Sequence, residues 1–254
     1  MPLEKNYFST REKLMLAGLF LAKFDTEGLV RLGFSNFKEA FNVIGYALGG
    51  KPASVKNYRD EFDPIFPNPR KGWYKRPLRE HCHRIEQEFA SLDIESFGSL
   101  VGSLFTYDQN RASDIEPPDE QRPEESAFAK RLVTGLAAEH YFEAVFSTVP
   151  QFCGHTLQNT TRFGCGYDFR ANRVDSDEFL AVEVKGIQAK SGSIAFTPKE
   201  YLTAGKLADR YFLFVVKNFR ESPSHAIYQN PLGAGLRFTK NEQVVINTTW
   251  QTAM

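Results

Sequence analysis

The stretch "EFLAVEVKG", Glu178 to Gly186, decides how the second half of this chain is read. Side chains alternate along a strand, so Leu180, Val182 and Val184 share one face while Phe179, Ala181, Glu183 and Lys185 share the other. One face is branched and apolar throughout. The other begins apolar and ends with a carboxylate and an ammonium two positions apart. Burying either ion alone would cost several kcal/mol or more, as an order of magnitude. That end of the strand must meet water, a counter-charge or a metal.

Working outward, "TLQNTT" and "GCGYDFRANR" precede this stretch as two further strands, and a short one is expected at "SIAFT". "TPKEYLTAGKLAD" is a helix with Thr197 and Glu200 at capping-box spacing. "RYFLFVVKN" is a fully apolar strand, with weaker strands at "HAIYQ" and "VVINTT". Upstream, "SAFAKRLVTGLAAEHYFEAVFSTV" reads as a long amphipathic helix. The order helix, three strands, helix, strand is that of a mixed sheet flanked by helices.

The N-terminal half reads as helices alone. The first is capped by Ser9 with Glu12 and carries Leu14, Leu16, Leu19, Phe20 and Phe24 as an apolar stripe. The second is capped by Ser35 or Asn36, buries Phe37, Phe41, Ile44 and Leu48, and stops at Gly49-Gly50. A third follows with Ser54 as its cap, a fourth over "RPLREHCHRIEQEFASL", and a fifth over "DIESFGSLVGSLF". Nothing before residue 106 reads as a strand. "TYDQNRASDIEPPDEQRPEES" has three prolines, many charges and little that is apolar, the composition of a linker. The expected layout is a helical domain at 1–107, an acidic proline-rich linker at 108–123 and an α/β (α+β) domain at 124–254.

Composition bounds the function. Of 254 residues, 42% are hydrophobic and 24% charged, with Lys+Arg and Asp+Glu balanced at 31 each. That balance hides a basic region from Lys51 to Arg84 and an acidic one from Asp108 to Glu125. The three cysteines, Cys82, Cys153 and Cys165, form no disulfide framework. The N-terminus lacks a signal-peptide core, and no apolar run approaches the ~20 residues of a membrane span. A soluble cytoplasmic protein is expected.

Asp168, Glu183 and Lys185, with Glu139 on the preceding helix, are the candidate chemistry. Two carboxylates at strand ends suit a divalent cation with hard oxygen ligands. A lysine two residues further on the same face can orient or deprotonate a water, or stabilise an oxyanion. The bland readings are an edge ion pair of Glu183 with Lys185, and a solvated Glu139 one turn from Glu143.

"GYDFRA", "FLAVEVKG", "SIAFTPKEYLTA" and "RYFLFVV" together resemble the Mrr-like branch of the PD-(D/E)XK nuclease superfamily, closest to the domain at the C-terminus of NO VEIN. The resemblance covers about residues 124–230. It implies a restriction-endonuclease-like fold, Asp168 as motif aspartate, Glu183 and Lys185 as the E-x-K element, and Glu139 as an added ligand. It implies Mg²⁺, or Mn²⁺ in its place, and DNA hydrolysis in restriction or phage defence, with a homodimer or a defence-system subunit as partner. Thr197 and Glu200 match a further family feature, taken as structural. Tyr167 stands where the family's proline usually precedes the aspartate.

Beside such a domain, "GGKPASVKNYRDEFDPIFPNPRKGWYKRPLRE" suggests a helix-turn-helix-like reader of double-stranded DNA. Lys51, Ser54, Lys56, Asn57 and Arg59 would lie on or near its second helix. The following loop offers Asn68, Arg70, Lys71, Trp73, Tyr74, Lys75 and Arg76 for phosphate contact and stacking. The competing function is a DNA-binding subunit whose nuclease fold is inactive or partner-dependent; an RNA-directed nuclease is a third. "EHCHRIE" puts His81 and His83 on different sides of a helix, so zinc is not expected there.

Overall fold

The structure is a computed structural model that describes residues 8–106, 122–173, 178–233 and 235–242. The N-terminal helices are α1 (Thr10–Arg31), α2 (Phe37–Ala47), α3 (Pro52–Phe62), α4 (Glu80–Phe89) and α5 (Ile94–Thr106). Ser9 and Glu12 form the expected capping box at the start of α1. Every residue from Leu14 to Ala22 is buried, so α1 is covered on all sides rather than along one stripe. Its neighbours α3, α5, α4 and α2 pack around it. Asp25 breaks its helical path at φ 46°.

Asn36 caps α2, but Ser54 does not cap α3. That helix opens at Pro52 with Lys51 as its cap residue, and the Ser54 N–H already donates to the Lys51 carbonyl. Proline carries the right φ and lacks an N–H that the first turn would leave unpaired, so it starts the helix ahead of the hydroxyl. Proline near the start of α4 was expected too; Pro77 lies outside it, and the helix begins at Glu80.

Residues 107–121, which take in most of the expected linker, lie outside the described ones, and α6 then runs Arg122–Val145. Among the described residues the sheet has five strands in the order β1 (His155–Asn159), β2 (Phe169–Arg173), β3 (Phe179–Gly186), β4 (Tyr211–Lys217) and β5 (Ser224–Gln229). All neighbours are antiparallel except β3 and β4, which are parallel and joined through α7 (Pro198–Leu207). The chain is therefore α+β, helices first and a mixed sheet after. "SIAFT" is not a strand. Both edges of β3 are taken by β2 and β4, so that segment finds no ladder on the strand that precedes it. "VVINTT" lies outside the described residues.

The alternation expected for β3 is present. Val182 and Val184 face the main core with Phe169, Phe212 and Phe214, under α6. Phe142 of α6 anchors that layer, its ring 4.7 Å from Phe214, 5.1 Å from Phe169 and 5.7 Å from Phe152. Ala181 and Tyr211 face the other side, against Ala204 of α7. The main core runs unbroken from α1 through α6 to the sheet. At the seam Asn42 donates to the carbonyls of Phe219 (2.7 Å) and Glu221 (3.2 Å), and Tyr46 meets Tyr141 edge-on at 5.3 Å.

Candidate active site

Asp168 sits one residue ahead of β2, where the ladder with β3 is about to begin. Its N–H donates to Val182 (3.1 Å), and its carbonyl accepts from the Thr160 N–H (2.8 Å) and hydroxyl (3.0 Å). Its side chain continues the ladder: Oδ2 accepts the Val184 N–H at 2.9 Å. The turn leading into it is fixed by Gly166 at φ 84°, whose carbonyl accepts from the Tyr211 hydroxyl at 3.0 Å. A Cβ on Gly166 would lie 2.5 Å from Thr203 Oγ1 of α7. Gly166→Ala should therefore destabilise the fold by about 1–3 kcal/mol through strain and overlap. Urea unfolding measures it, and an unchanged midpoint would show that the turn adapts.

Glu183 is buried and carries Lys185 on one side: Nζ lies 2.6 Å from Glu183 Oε1 and 3.0 Å from Glu200 Oε2. Glu200 comes from the first turn of α7, where it closes the capping box with Thr197. So the charge on β3 meets counter-charge inside the protein. It is not an edge pair, because β3 lies at the centre of the sheet.

The electrostatics follow from burial and crowding. Burial, then the nearby Glu139 charge, push the Asp168 carboxyl up to about 7, against the pull of the Val184 N–H and Lys185. Glu183 is raised as well, by burial first and Asp168 second. Burial works against the Lys185 ammonium, but Glu183 and Glu200 outweigh it and hold the lysine charged. Asp168, Glu183 and Glu200 thus place three carboxylates around one ammonium. When all are ionised, two negative charges are left over.

A divalent cation would answer that excess. Asp168 and Glu183 could hold one, with water or a phosphate completing the shell, as Mg²⁺ commonly accepts. Among the described residues no three His, Cys, Asp or Glu side chains gather as a closed metal cage. The fit is to an open two-carboxylate site. Glu139 is half-buried on α6 and near enough to raise Asp168, so it adds negative field at this end of the sheet. The close approach of α6 depends on Gly186, where a Cβ would lie 2.8 Å from the Thr134 carbonyl.

Residues 136–229 match the family model Protein NO VEIN, C-terminal. The NO VEIN match starts inside α6 and stops at the last residue of β5, taking in Glu139, Asp168, Glu183, Lys185 and Glu200 and none of α1–α5. No curated protein and no solved structure matches the chain.

The N-terminal candidates separate into two groups. Lys51, Lys56, Asn57, Lys71, Tyr74, Lys75 and Arg76 are exposed, and Ser54 and Trp73 are half-buried. Arg59 and Arg70 point inward. Arg59 is buried over the Phe37 and Phe41 rings and pairs with Asp60 (2.6 Å). Arg70 joins Asp63 (2.7 Å) to Asp25 (2.5 Å), and Asn68 binds the Asp63 and Phe66 carbonyls. These side chains hold the 66–76 loop on the helices. Arg76 stacks 4.2 Å over Trp73, and the Trp73 N–H anchors to the Asp60 carbonyl at 2.8 Å. The α2–α3 turn is short as expected, yet α2 is packed against α6.

Cys82 is buried, its thiol pushed up to about 12 by burial and Glu61, which makes it inert. The sequence did not show that Tyr211 would join the site, and it marked Glu200 as a helix start and as a family feature taken as structural, not as a partner of Lys185. Among the described residues no helix is long and apolar enough to cross a membrane.

Proposed function

We propose that this protein is a metal-dependent DNA endonuclease of the PD-(D/E)XK type, with its N-terminal helices contacting the duplex. The observation that carries this reading is Asp168, one residue ahead of β2, beside Glu183 of β3, their carboxyls raised, with Lys185 on the same face as Glu183. The NO VEIN match over these residues supports it, and the resemblance to the Mrr-like branch suggests restriction or phage defence.

Asp168 and Glu183 would hold Mg²⁺ or Mn²⁺, with the Glu139 charge behind them. The cation, when bound, would acidify a water and screen the phosphate. Lys185, kept charged by two carboxylates, is a donor: it orients the attacking water and steadies the developing negative charge on the phosphate oxygens. It is not the base, since its neighbours oppose loss of its proton. A single such site cuts one strand, so a double-strand break calls for a homodimer or two successive nicks.

The test is incubation with unmodified and base-modified plasmid in Mg²⁺, Mn²⁺ or EDTA, beside matched RNA. Metal-dependent nicking of DNA is expected. Binding without cutting on every substrate would replace this reading with a partner-dependent or inactive DNA-binding subunit, a reading that the closed Glu183–Lys185 pair also favours.

The exposed Lys71, Lys75 and Arg76 are the phosphate contacts of the reader. Changing all three to alanine should weaken DNA binding at every sequence and reduce the salt slope by about 2–3, given about 0.9 per phosphate contact. A fluorescence-anisotropy salt titration with unchanged slope would remove this loop from the interface.

A further inference from the structure

Glu200 is the carboxylate of the cluster left without a part in the chemistry above. Its Oε2 accepts two hydrogen bonds, from the Thr197 N–H at 2.9 Å and from Lys185 Nζ at 3.0 Å. Its side chain is 15% exposed, and it stands in the first turn of α7, where a helix N-terminus favours negative charge. The helix is itself fixed, since Thr203, one turn further on, packs on Gly166. The Phe196 ring lies 5.9 Å from Lys185 Nζ and bounds its range.

Lys185 therefore has one partner that would be claimed by a cation, Glu183, and one that would not. We propose that Glu200 is the positioning residue for Lys185, holding the ammonium on target when Glu183 turns to a divalent cation. The role in catalysis rests on the nuclease reading; the holding of Lys185 does not. A cation bound by Glu183 repels the lysine, whose flexible stem would otherwise swing to solvent. An ammonium offers three donors, so it keeps Glu200 and still has N–H groups for water or phosphate.

The capping role and the holding role can be separated. Glu200→Gln keeps a capping-box residue but removes the charge, whereas Thr197→Ala removes the cap hydroxyl and keeps the carboxylate. Acetylation of Lys185 by acetic anhydride in Mg²⁺, read by mass spectrometry, should rise at least fivefold in Glu200→Gln and stay within twofold of the parent in Thr197→Ala. On plasmid, Glu200→Gln should lose at least tenfold in kcat with KM within threefold, while its melting temperature holds. Parent-like labelling in Glu200→Gln, or equal gains in both variants, would overturn the proposal. If the parent protein cuts no DNA, the nuclease reading falls and the labelling alone decides whether Glu200 holds Lys185.

Discussion

Lys185→Ala protein is expected to lose at least a hundredfold in metal-dependent DNA cleavage while remaining folded and able to bind DNA. Removing a donor that acts chiefly on charge developing in the transition state costs about 10²–10³ in rate. The side chain is 22% exposed and its charge is spent on Glu183 and Glu200 rather than on the hydrophobic core. Its loss strips the buried Glu183 of its counter-charge, so stability without metal should fall, and folding is compared in Mg²⁺, where a cation would answer the excess. On the proposal that the exposed lysines and Arg76 of the N-terminal half carry binding, the dissociation constant should stay within about threefold of the parent. The measurement is single-turnover cleavage beside anisotropy binding on the same duplex. Undiminished cleavage would remove Lys185 from the mechanism.

The residues of this site were legible because strand alternation is strict. Glu183 and Lys185 had to share a face, and Asp168 had to fall near the same strand end once "GYDFRA" was read as a neighbour. The capping signals at Ser9, Asn36 and Thr197 are local, and each marks a helix start. Ser54 failed because a stronger start signal, Pro52, stood two residues earlier. The burial of α1 on all sides could not be read from period, since its middle is nearly all apolar and no face is marked out. Arg59 and Arg70 misled for another reason. Their charge is visible in the sequence, but Asp25, 45 residues from Arg70, becomes its partner only after folding. Glu200 illustrates the same limit: the crossover from β3 through α7 to β4 brings the helix start onto the lysine.

The second large effect concerns pH. Asp168 titrates at about 7 in the fold and at 3.8 in its unperturbed state, chiefly through burial. The folded protein keeps a proton that the unfolded chain releases, so unfolding becomes easier as pH rises through that interval. The stability that Asp168 contributes is full below about pH 4, falls by up to about 1.4 kcal/mol per pH unit, and is lost above about 7. Glu183, raised in the same direction, adds to the loss. Asp168→Asn stays neutral and can still accept the Val184 N–H. At pH 8 without metal it should be more stable than the parent by an amount on the order of 2–4 kcal/mol, which is several degrees in Tm for a chain of this size. At pH 4 the two should coincide. Mg²⁺ at pH 8 should raise the parent's Tm and leave Asp168→Asn nearly unmoved, because a cation that binds only the folded state stabilises it by mass action. A parent Tm that does not fall between pH 4.5 and 7.5, with no gain in Asp168→Asn, would mean that Asp168 is ionised throughout. The excess negative charge that calls for a cation would then already be satisfied within the chain.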